Sequence, residues 1–206
     1  MANPLEVFAD IWCPFAHVGL RAAKAVRDER NSTRVPILIR AWPLELVNGV
    51  AMDGARTADH VRELREQVAP SMFVGFDESR FPSTSLPALA LAARAYEVSH
   101  EIGEAMSFAL RDALFERGED ISDPDVLADL ARHYGVAFET HIGLDAVYED
   151  WRAGQSRGVK GSPHFFCANT DAFCPALDIE RDDAGRISLR LRSSELEAFL
   201  DACFER

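Results

Sequence analysis

The alternation of hydrophobic and polar positions in the first forty residues predicts a strand, a helix and a second strand. Residues 5–12 form a short apolar run with β-branched and aromatic side chains, which is typical of a buried strand. Pro14 suits the first position of a helix because it has no N–H to donate, and an apolar face continues to about Arg30. Residues 35–42 are a second β-rich run. The pattern therefore predicts a βαβ unit with a parallel pair of strands.

The middle of the chain is helical in pattern, and the end returns to strands. Helices are predicted near residues 59–69, 85–97, 100–116, 124–134 and 143–157. Strands are predicted over residues 164–168 and 186–192, turns at 169–172 and 182–185, and a last amphipathic helix after Ser193 or Ser194. We expect residues 1–56 and 158–206 to form one domain, interrupted by a helical insertion domain over residues 57–157.

Composition and charge narrow the classes of partner. The 206 residues are 48% hydrophobic and 27% charged, which is typical of a soluble globular protein with a full core. The 34 acidic residues outnumber the 22 Lys and Arg residues, and the net charge of -12 disfavours nucleic acid and anionic membranes. No secretory signal and no apolar run approaching about 18 residues is evident. We therefore expect a cytoplasmic protein.

The four cysteines are too few and too scattered for a disulfide framework, and a reducing cytosol keeps structural thiols unpaired. We expect any disulfide to be transient. If the turn is centred on residues 170–171, Cys167 and Cys174 face each other across a hairpin and can pair; the alternative is two half-buried thiols. Cys203, on the core face of the last predicted helix, is expected to serve packing.

Cys13 lies where the chain passes from the first predicted strand into the first helix. Unpaired N–H groups and the helix dipole favour the thiolate there and lower a cysteine pKa below about 8.5. The carboxyl end of a strand is also where α/β folds place their chemistry. We expect an exposed, redox-active Cys13, against the alternative of an inert buried cysteine. Trp12, Pro14 and Phe15 are predicted to line its substrate pocket.

A second feature is the glycine-containing segment 158–163, which ends in Ser162-Pro163 before the third predicted strand. A proline at this point cannot donate a ladder hydrogen bond. A cis Ser162–Pro163 bond would bring the turn against the thiol and leave the backbone of Ser162 free to bind a substrate. The alternative is a trans proline that merely begins the strand.

Two histidines are candidates for the same site. His17 lies four residues after Cys13 on one helix face, where it is either a solvated helix residue or a group that stabilises the thiolate or relays a proton. His164 follows Pro163 and is expected to bind substrate beside it. Cys13, His17 and His164 could in principle bind zinc, but no fourth ligand is evident and we predict no metal.

The segments Phe8–Gly19, with Cys13-Pro14, and Gly158–Phe166, with Ser162-Pro163, together resemble the DsbA-like thioredoxin family, especially its cytoplasmic FrnE-type branch. The resemblance spans nearly the whole chain. It implies an α/β thioredoxin-like fold, with βαβ and ββα units in a mixed sheet and a large helical insertion. It also implies a redox or glutathione-type activity and a cis proline facing the thiol.

The chain departs from the family in its redox motif. The family's motif is Cys-Pro-x-Cys, and here Ala16 occupies the place of the second cysteine. A dithiol cycle within this motif is therefore impossible. The segment after Cys174, with an extra hairpin, also differs from the family pattern.

Three functions follow as hypotheses. The first is a thiol-disulfide oxidoreductase with a monothiol mechanism at Cys13, helped by His17, in which an external low-molecular-weight thiol resolves the mixed disulfide. The second is a glutathione-dependent isomerase or transferase, similar to 2-hydroxychromene-2-carboxylate isomerase or kappa-class transferases, which carry Ser in place of Cys13. The third is a non-catalytic binding module. We expect no tightly bound cofactor. We expect glutathione or a similar thiol as partner and a small-molecule thiol or a disulfide-containing molecule as substrate. The chain is compatible with a homodimer.

Overall fold

A four-stranded mixed sheet lies at the centre of the fold. The computed structural model describes residues 4–33, 35–139, 143–182 and 186–204. The strands β1 (Leu5–Ala9), β2 (Ile37–Ala41), β3 (His164–Cys167) and β4 (Thr170–Phe173) are ordered β2-β1-β3-β4. β1 pairs parallel to β2 and antiparallel to β3, which pairs antiparallel to β4. This arrangement confirms the predicted βαβ unit and the mixed sheet.

The remaining described elements are eight α-helices, one short 3-10 helix (Glu78–Arg80) and a separate hairpin. The helices are α1 (Pro14–Glu29), α2 (Leu44–Asn48), α3 (Gly54–Gln67), α4 (Leu86–Val98), α5 (His100–Arg117), α6 (Pro124–Tyr134), α7 (Leu144–Ser156) and α8 (Ser193–Leu200). Strands β5 (Leu177–Arg181) and β6 (Ile187–Leu191) pair antiparallel, and residues 183–185 of the predicted turn between them lie outside the described residues. α3 begins earlier than predicted because the Asp53 side chain accepts hydrogen bonds from the N–H groups of Ala55 and Arg56. None of the described helices is both long and apolar enough to cross a membrane.

Helices cover both faces of the sheet. On one face α1 lies so close to β3 that a Cβ at Gly19 would be 3.4 Å from Cγ of Pro163. On the other face, α7 approaches Trp42 so closely that a Cβ at Gly154 would be 2.5 Å from its ring. Glycine at these two positions therefore sets the distance between helix and sheet on each side.

The turn between β3 and β4 is shorter than predicted. It consists of Ala168 and Asn169, and Ala168 has a positive φ of 51° although it is not glycine. β4 therefore begins inside the predicted turn of residues 169–172, and Cys167 lies opposite Thr170 rather than opposite Cys174. This register excludes the pair of Cys167 and Cys174 that a turn centred on residues 170–171 would have allowed. Cys167 is instead bonded to Cys203, which was expected only to pack, with 5.8 Å between the Cα atoms.

Side chains from the helical insertion hydrogen-bond the outer edge of β2. Glu104, Tyr96 and Asp150 accept hydrogen bonds from the N–H groups of Ile37, Ile39 and Ala41, at 3.1, 2.9 and 2.9 Å. The hydroxyl of Tyr96 also donates to the carbonyl oxygen of Ile37 at 2.9 Å. Glu104 in addition accepts two hydrogen bonds of 2.7 Å from the guanidinium of Arg27 on α1. These polar contacts fix the insertion against the sheet.

Candidate active site

Cys13 is the N-cap residue of α1, with extended backbone angles (φ -84°, ψ 112°) and Pro14 in the first helical turn. Its thiol donates a hydrogen bond to the carbonyl oxygen of Ser162, with 3.2 Å from Sγ to the oxygen. The side chain is only 4% exposed. The predicted exposure is therefore wrong, because the thiol points toward the Ser162–Pro163 turn and into the core instead of into solvent.

The Ser162–Pro163 turn is fixed against the start of α1. The peptide bond between the two residues is cis. The Ser162 hydroxyl accepts a hydrogen bond of 2.9 Å from the backbone N–H of Asp10, just beyond the end of β1. Pro163 faces Gly19 of α1. The predicted juxtaposition of Cys13 with this turn is present, and the Ser162 carbonyl oxygen is the atom that meets the thiol.

Two opposing effects act on the ionisation of Cys13. Burial raises the pKa of the Cys13 thiol, and the negative charge of Asp10 raises it further. The side chain of Ser162 and the backbone N–H groups of Ala16 and Phe15 at the helix N-terminus lower this pKa. Burial is the largest of these effects, so the thiol is protonated in this conformation. The helix N-terminus would favour the thiolate once the site is solvated.

A buried carboxylate and a buried guanidinium lie near the cysteine in the core. The Asp10 carboxylate accepts hydrogen bonds from the N–H groups of Leu44 at 2.6 Å and Trp12 at 3.4 Å, and burial raises the pKa of Asp10 to about 6. The Arg111 guanidinium donates to the carbonyl oxygen of Asp10 at 3.2 Å, and burial lowers the pKa of Arg111 to about 10. Sequence reasoning missed both residues. The one available signal was a single aspartate inside the apolar run of residues 5–12.

His17 is bound to the helical insertion. Its ring is fully buried between Phe73 and Phe115, and its Nε2 lies 2.8 Å from Oε1 of Glu116 on α5. Burial lowers the pKa of His17. The expectation of a solvated helix residue is wrong, since Glu116 and the aromatic rings enclose the imidazole. The described contacts of the ring are with the insertion, so its predicted help to Cys13 has no geometric support here.

His164 also has other partners. Its Nδ1 accepts a hydrogen bond of 3.1 Å from the backbone N–H of Lys160, and its Nε2 lies 2.8 Å from the carboxylate of Asp171 on β4. The ring contacts Phe166, which alternation along the strand places on the face of β3 opposite Pro163. The structure therefore places this predicted substrate-binding residue on the far side of the sheet from the thiol.

The predicted pocket residues beside Cys13 differ in exposure. Trp12 is fully buried and stacks on Phe81 with 5.9 Å between ring centroids. Pro14 is buried in the first turn of α1, whereas Phe15 is half-buried and packs against His60 of α3 at 5.1 Å. Of the three predicted pocket residues, only Phe15 reaches the surface to a substantial degree. It is therefore the best placed to meet an incoming substrate.

A cavity between the sheet and the helical insertion lies away from the thiol. It has a volume of about 360 Å³ between β2, α4 and α7, and its lining includes Tyr96 and Asp150 but neither Cys13 nor Pro163. Within the described residues, no group of three or more His, Cys, Asp or Glu side chains could hold a metal ion. The reactive groups of the site are therefore the thiol and the turn beside it.

The sheet order, the helix that begins at a cysteine and the cis proline opposite that cysteine define a thioredoxin-like fold with a helical insertion. A family model described as the DSBA-like thioredoxin domain matches residues 4–181. The chain belongs to this family.

Solved structures show the same fold at low sequence identity. A probable DsbA oxidoreductase from Streptomyces coelicolor has a TM-score of 0.65 at 17% identity, covering 99% of this chain and 91% of that one. The cytosolic disulfide reductase DsbM from Pseudomonas aeruginosa has a TM-score of 0.53 at 16% identity, covering 96% and 97%. A 2-hydroxychromene-2-carboxylate isomerase has a TM-score of 0.58 at 13% identity, covering 82% and 87%. A search of curated proteins found no match.

Proposed function

We propose that the protein is a thiol-disulfide oxidoreductase that works through Cys13 by a monothiol mechanism, with an external low-molecular-weight thiol such as glutathione as resolver. The observation that carries the proposal is the thiol at the N-cap of α1, 3.2 Å from the carbonyl oxygen of Ser162 in a cis dipeptide. A structure of DsbM was solved with glutathione, which supports the choice of that class of thiol.

The reaction is an exchange of sulfur partners. The Cys13 thiolate attacks one sulfur of a substrate disulfide, a new bond forms between Cys13 and that sulfur, and the other sulfur leaves as a thiolate that takes up a proton. An external thiolate then attacks the mixed disulfide, and Cys13 leaves as its thiolate. Ala16 cannot perform this second attack, so the external thiol is required for turnover at this motif.

The buried state of Cys13 adds a step before the chemistry. Because the side chain is 4% exposed, a disulfide reaches the sulfur only after local opening around the Ser162–Pro163 turn. Opening removes the largest cause of the raised pKa of Cys13, which is burial. The N–H groups at the start of α1 then stabilise the thiolate. Substrate access and activation of the nucleophile thus depend on the same movement.

A second candidate function has its own supporting observation. The protonated Cys13 thiol is a hydrogen-bond donor, and such a donor can orient the sulfur of a bound glutathione thiolate in place of the Ser162 carbonyl oxygen. In that case Cys13 forms no covalent bond, as in the hypothesis of a glutathione-dependent isomerase. The fold shared with 2-hydroxychromene-2-carboxylate isomerase is compatible with this function.

Two substitutions of Cys13 separate these functions. We would measure glutathione-dependent reduction of a glutathionylated peptide and isomerisation of 2-hydroxychromene-2-carboxylate by the wild type, Cys13→Ser and Cys13→Ala. Exchange chemistry predicts at least a hundredfold loss of peptide reduction in both variants. Donor chemistry predicts isomerisation that survives in Cys13→Ser and falls in Cys13→Ala, since serine keeps a donor. Wild-type protein inactive in both assays, with no adduct at Cys13, would support a non-catalytic binding module.

A further inference from the structure

We propose that Cys174 is a second redox-active thiol of the same site, able to form an internal disulfide with Cys13. The inference rests on the proposed exchange chemistry at Cys13 and extends it. Cys13 and Cys174 are the free cysteines of the described chain. The Cys13 thiol donates to the carbonyl oxygen of Ser162, and the N–H of Cys174 donates to the carbonyl oxygen of Pro163 at 2.9 Å. Both cysteines therefore contact the same dipeptide, Ser162–Pro163.

Strand register places Cys174 beside Pro163, the residue that follows Ser162 in the turn contacted by Cys13. His164 lies opposite Phe173, so the next antiparallel pair along the ladder is Pro163 with Cys174. Residues paired directly across antiparallel strands share a face. Pro163 faces Gly19 of α1, and α1 is the helix that begins at Cys13. Burial is the largest cause of the raised pKa of Cys174, and the Cys13 thiol lies close enough to raise this pKa further electrostatically, which places the two thiols near each other.

The proposed disulfide requires Cys13 and Cys174 to approach each other across the Ser162–Pro163 turn. Directly opposed residues in an antiparallel pair have Cα atoms about 5.5 Å apart, and a disulfide tolerates about 7 Å. Cys174 is opposite Pro163, and Cys13 contacts the residue before Pro163. Cys174 lies beyond the last residue of β4 and has a left-handed φ of 47°. A movement of Cys174 toward Cys13 would break the hydrogen bond from its N–H to Pro163 and leave the ladder pair of His164 and Phe173 in place.

The other cysteines are excluded by their positions. Cys167 is bonded to Cys203 and lies at the opposite end of β3 from Pro163. Ala16 removes the partner that the usual motif would supply. Within the described residues, Cys174 is consequently the one remaining free thiol that could pair with Cys13. The fold, and not the adjacent sequence, brings it to the site.

The step balances as an ordinary exchange. The Cys174 thiolate attacks the Cys13 sulfur of the mixed disulfide, a bond forms between Cys174 and Cys13, and the substrate thiolate leaves and takes up the proton that Cys174 lost. The two protein thiols are oxidised to a disulfide, and the substrate disulfide is reduced to two thiols. Two molecules of external thiol then reduce the internal disulfide and become a disulfide themselves.

Burial limits the internal step while the site is closed. It raises the pKa of Cys174 to about 12, so the Cys174 thiolate is scarce in the closed site. An abundant external thiol competes with Cys174 for the mixed disulfide at Cys13, as in the proposed monothiol mechanism. When the external thiol is depleted, formation of the Cys13–Cys174 disulfide becomes the main route. It then releases the substrate and protects Cys13 from further oxidation.

The experiment follows one glutathione adduct after external thiol is removed. Wild-type protein and Cys174→Ser, both with the Cys167–Cys203 bond intact, are treated briefly with glutathione disulfide and desalted. Intact mass and peptide mapping then follow the Cys13 adduct. We expect the wild type to lose its adduct and to form a link between the peptides that contain Cys13 and Cys174. We expect the Cys174→Ser adduct to last at least ten times longer.

The outcomes separate this inference from the proposed function. Equally stable adducts at Cys13 in both proteins, with no linked peptides in the wild type, would overturn the role of Cys174 and leave the monothiol mechanism intact. No adduct at Cys13 in either protein would overturn both. Near-ultraviolet circular dichroism checks the fold of Cys174→Ser, and Cys174→Ala replaces it if the serine variant does not fold.

Discussion

Replacing Asp10 with asparagine should remove a pH-dependent loss of stability. Asp10 is fully buried, and its pKa is raised from the ordinary value of 3.8 to about 6, chiefly by burial. Folding therefore binds a proton between these two values, and the contribution of Asp10 to stability falls as pH rises through this window. A shift of about two units corresponds to about 3 kcal/mol, since each unit is worth about 1.4 kcal/mol.

Asparagine is a close mimic of protonated Asp10. It keeps an oxygen that can accept the hydrogen bond from the N–H of Leu44, and it leaves Arg111 without a neighbouring charge, as the protonated acid does. The free energy of unfolding of Asp10→Asn minus that of the wild type should therefore increase by about 2 kcal/mol between pH 4 and pH 7.5, since Asp10 of the unfolded chain is already partly ionised at pH 4. Other titrating groups largely cancel in this difference because both proteins contain them.

Urea denaturation followed by circular dichroism at several pH values measures this difference. A difference that stays constant from pH 4 to pH 7.5 would refute the argument, because it would mean that Asp10 titrates alike in the folded and unfolded chains. The same variant offers a second readout at the thiol. The charge of Asp10 raises the pKa of Cys13, so Asp10→Asn should alkylate with iodoacetamide at a lower apparent pKa than the wild type.

Three further predictions test the framework around the site. Glu104→Gln should lower the free energy of unfolding by about 3 kcal/mol, measured by urea denaturation, because Arg27 loses its buried charge partner. Gly154→Ala should lower the free energy of unfolding by about 1–3 kcal/mol, and with it the melting temperature, because the added Cβ would overlap the ring of Trp42. Gln67→Ala should raise amide exchange in β6, since the Gln67 amide bonds two backbone groups of that strand at 2.8 and 3.0 Å.

A specific outcome would contradict each of these three predictions. Unchanged stability of Glu104→Gln would mean that the ion pair contributes nothing net in the folded protein. An unshifted melting temperature for Gly154→Ala, with Ser156→Ala as a control on the same helix, would mean that α7 can move away from the sheet. Unaltered exchange in β6 would show that the hairpin holds without Gln67.

The parts of the fold that local signals control were predictable. Pro14 after a buried strand marked the start of α1, and Asp123 before Pro124 marked the start of α6, because caps and prolines act within one turn. The turn at Ala168 was not predictable in the same way. Ala168 has a positive φ although it is not glycine, so the sequence contains no signal for a turn at this position. The polar residues that follow suggested a longer turn.

The site was predictable only where its parts adjoin recognisable motifs. Cys13 and the Ser162–Pro163 turn each have a local signature, and the fold brings them together. The contact between Asp10 and Arg111, and that between His17 and Glu116, join residues about a hundred positions apart. Nothing in the spacing of such residues specifies their meeting, because it depends on how the insertion packs against the sheet.

The polar contacts along the outer edge of β2 also bear on how the chain avoids aggregation. An edge strand with free N–H and carbonyl groups is a template for pairing with another molecule. Here Glu104, Tyr96 and Asp150 occupy N–H groups that a foreign strand would need. A chain from which the insertion had been deleted would expose a short, apolar edge strand. The insertion therefore also prevents two molecules from pairing through their β2 edges.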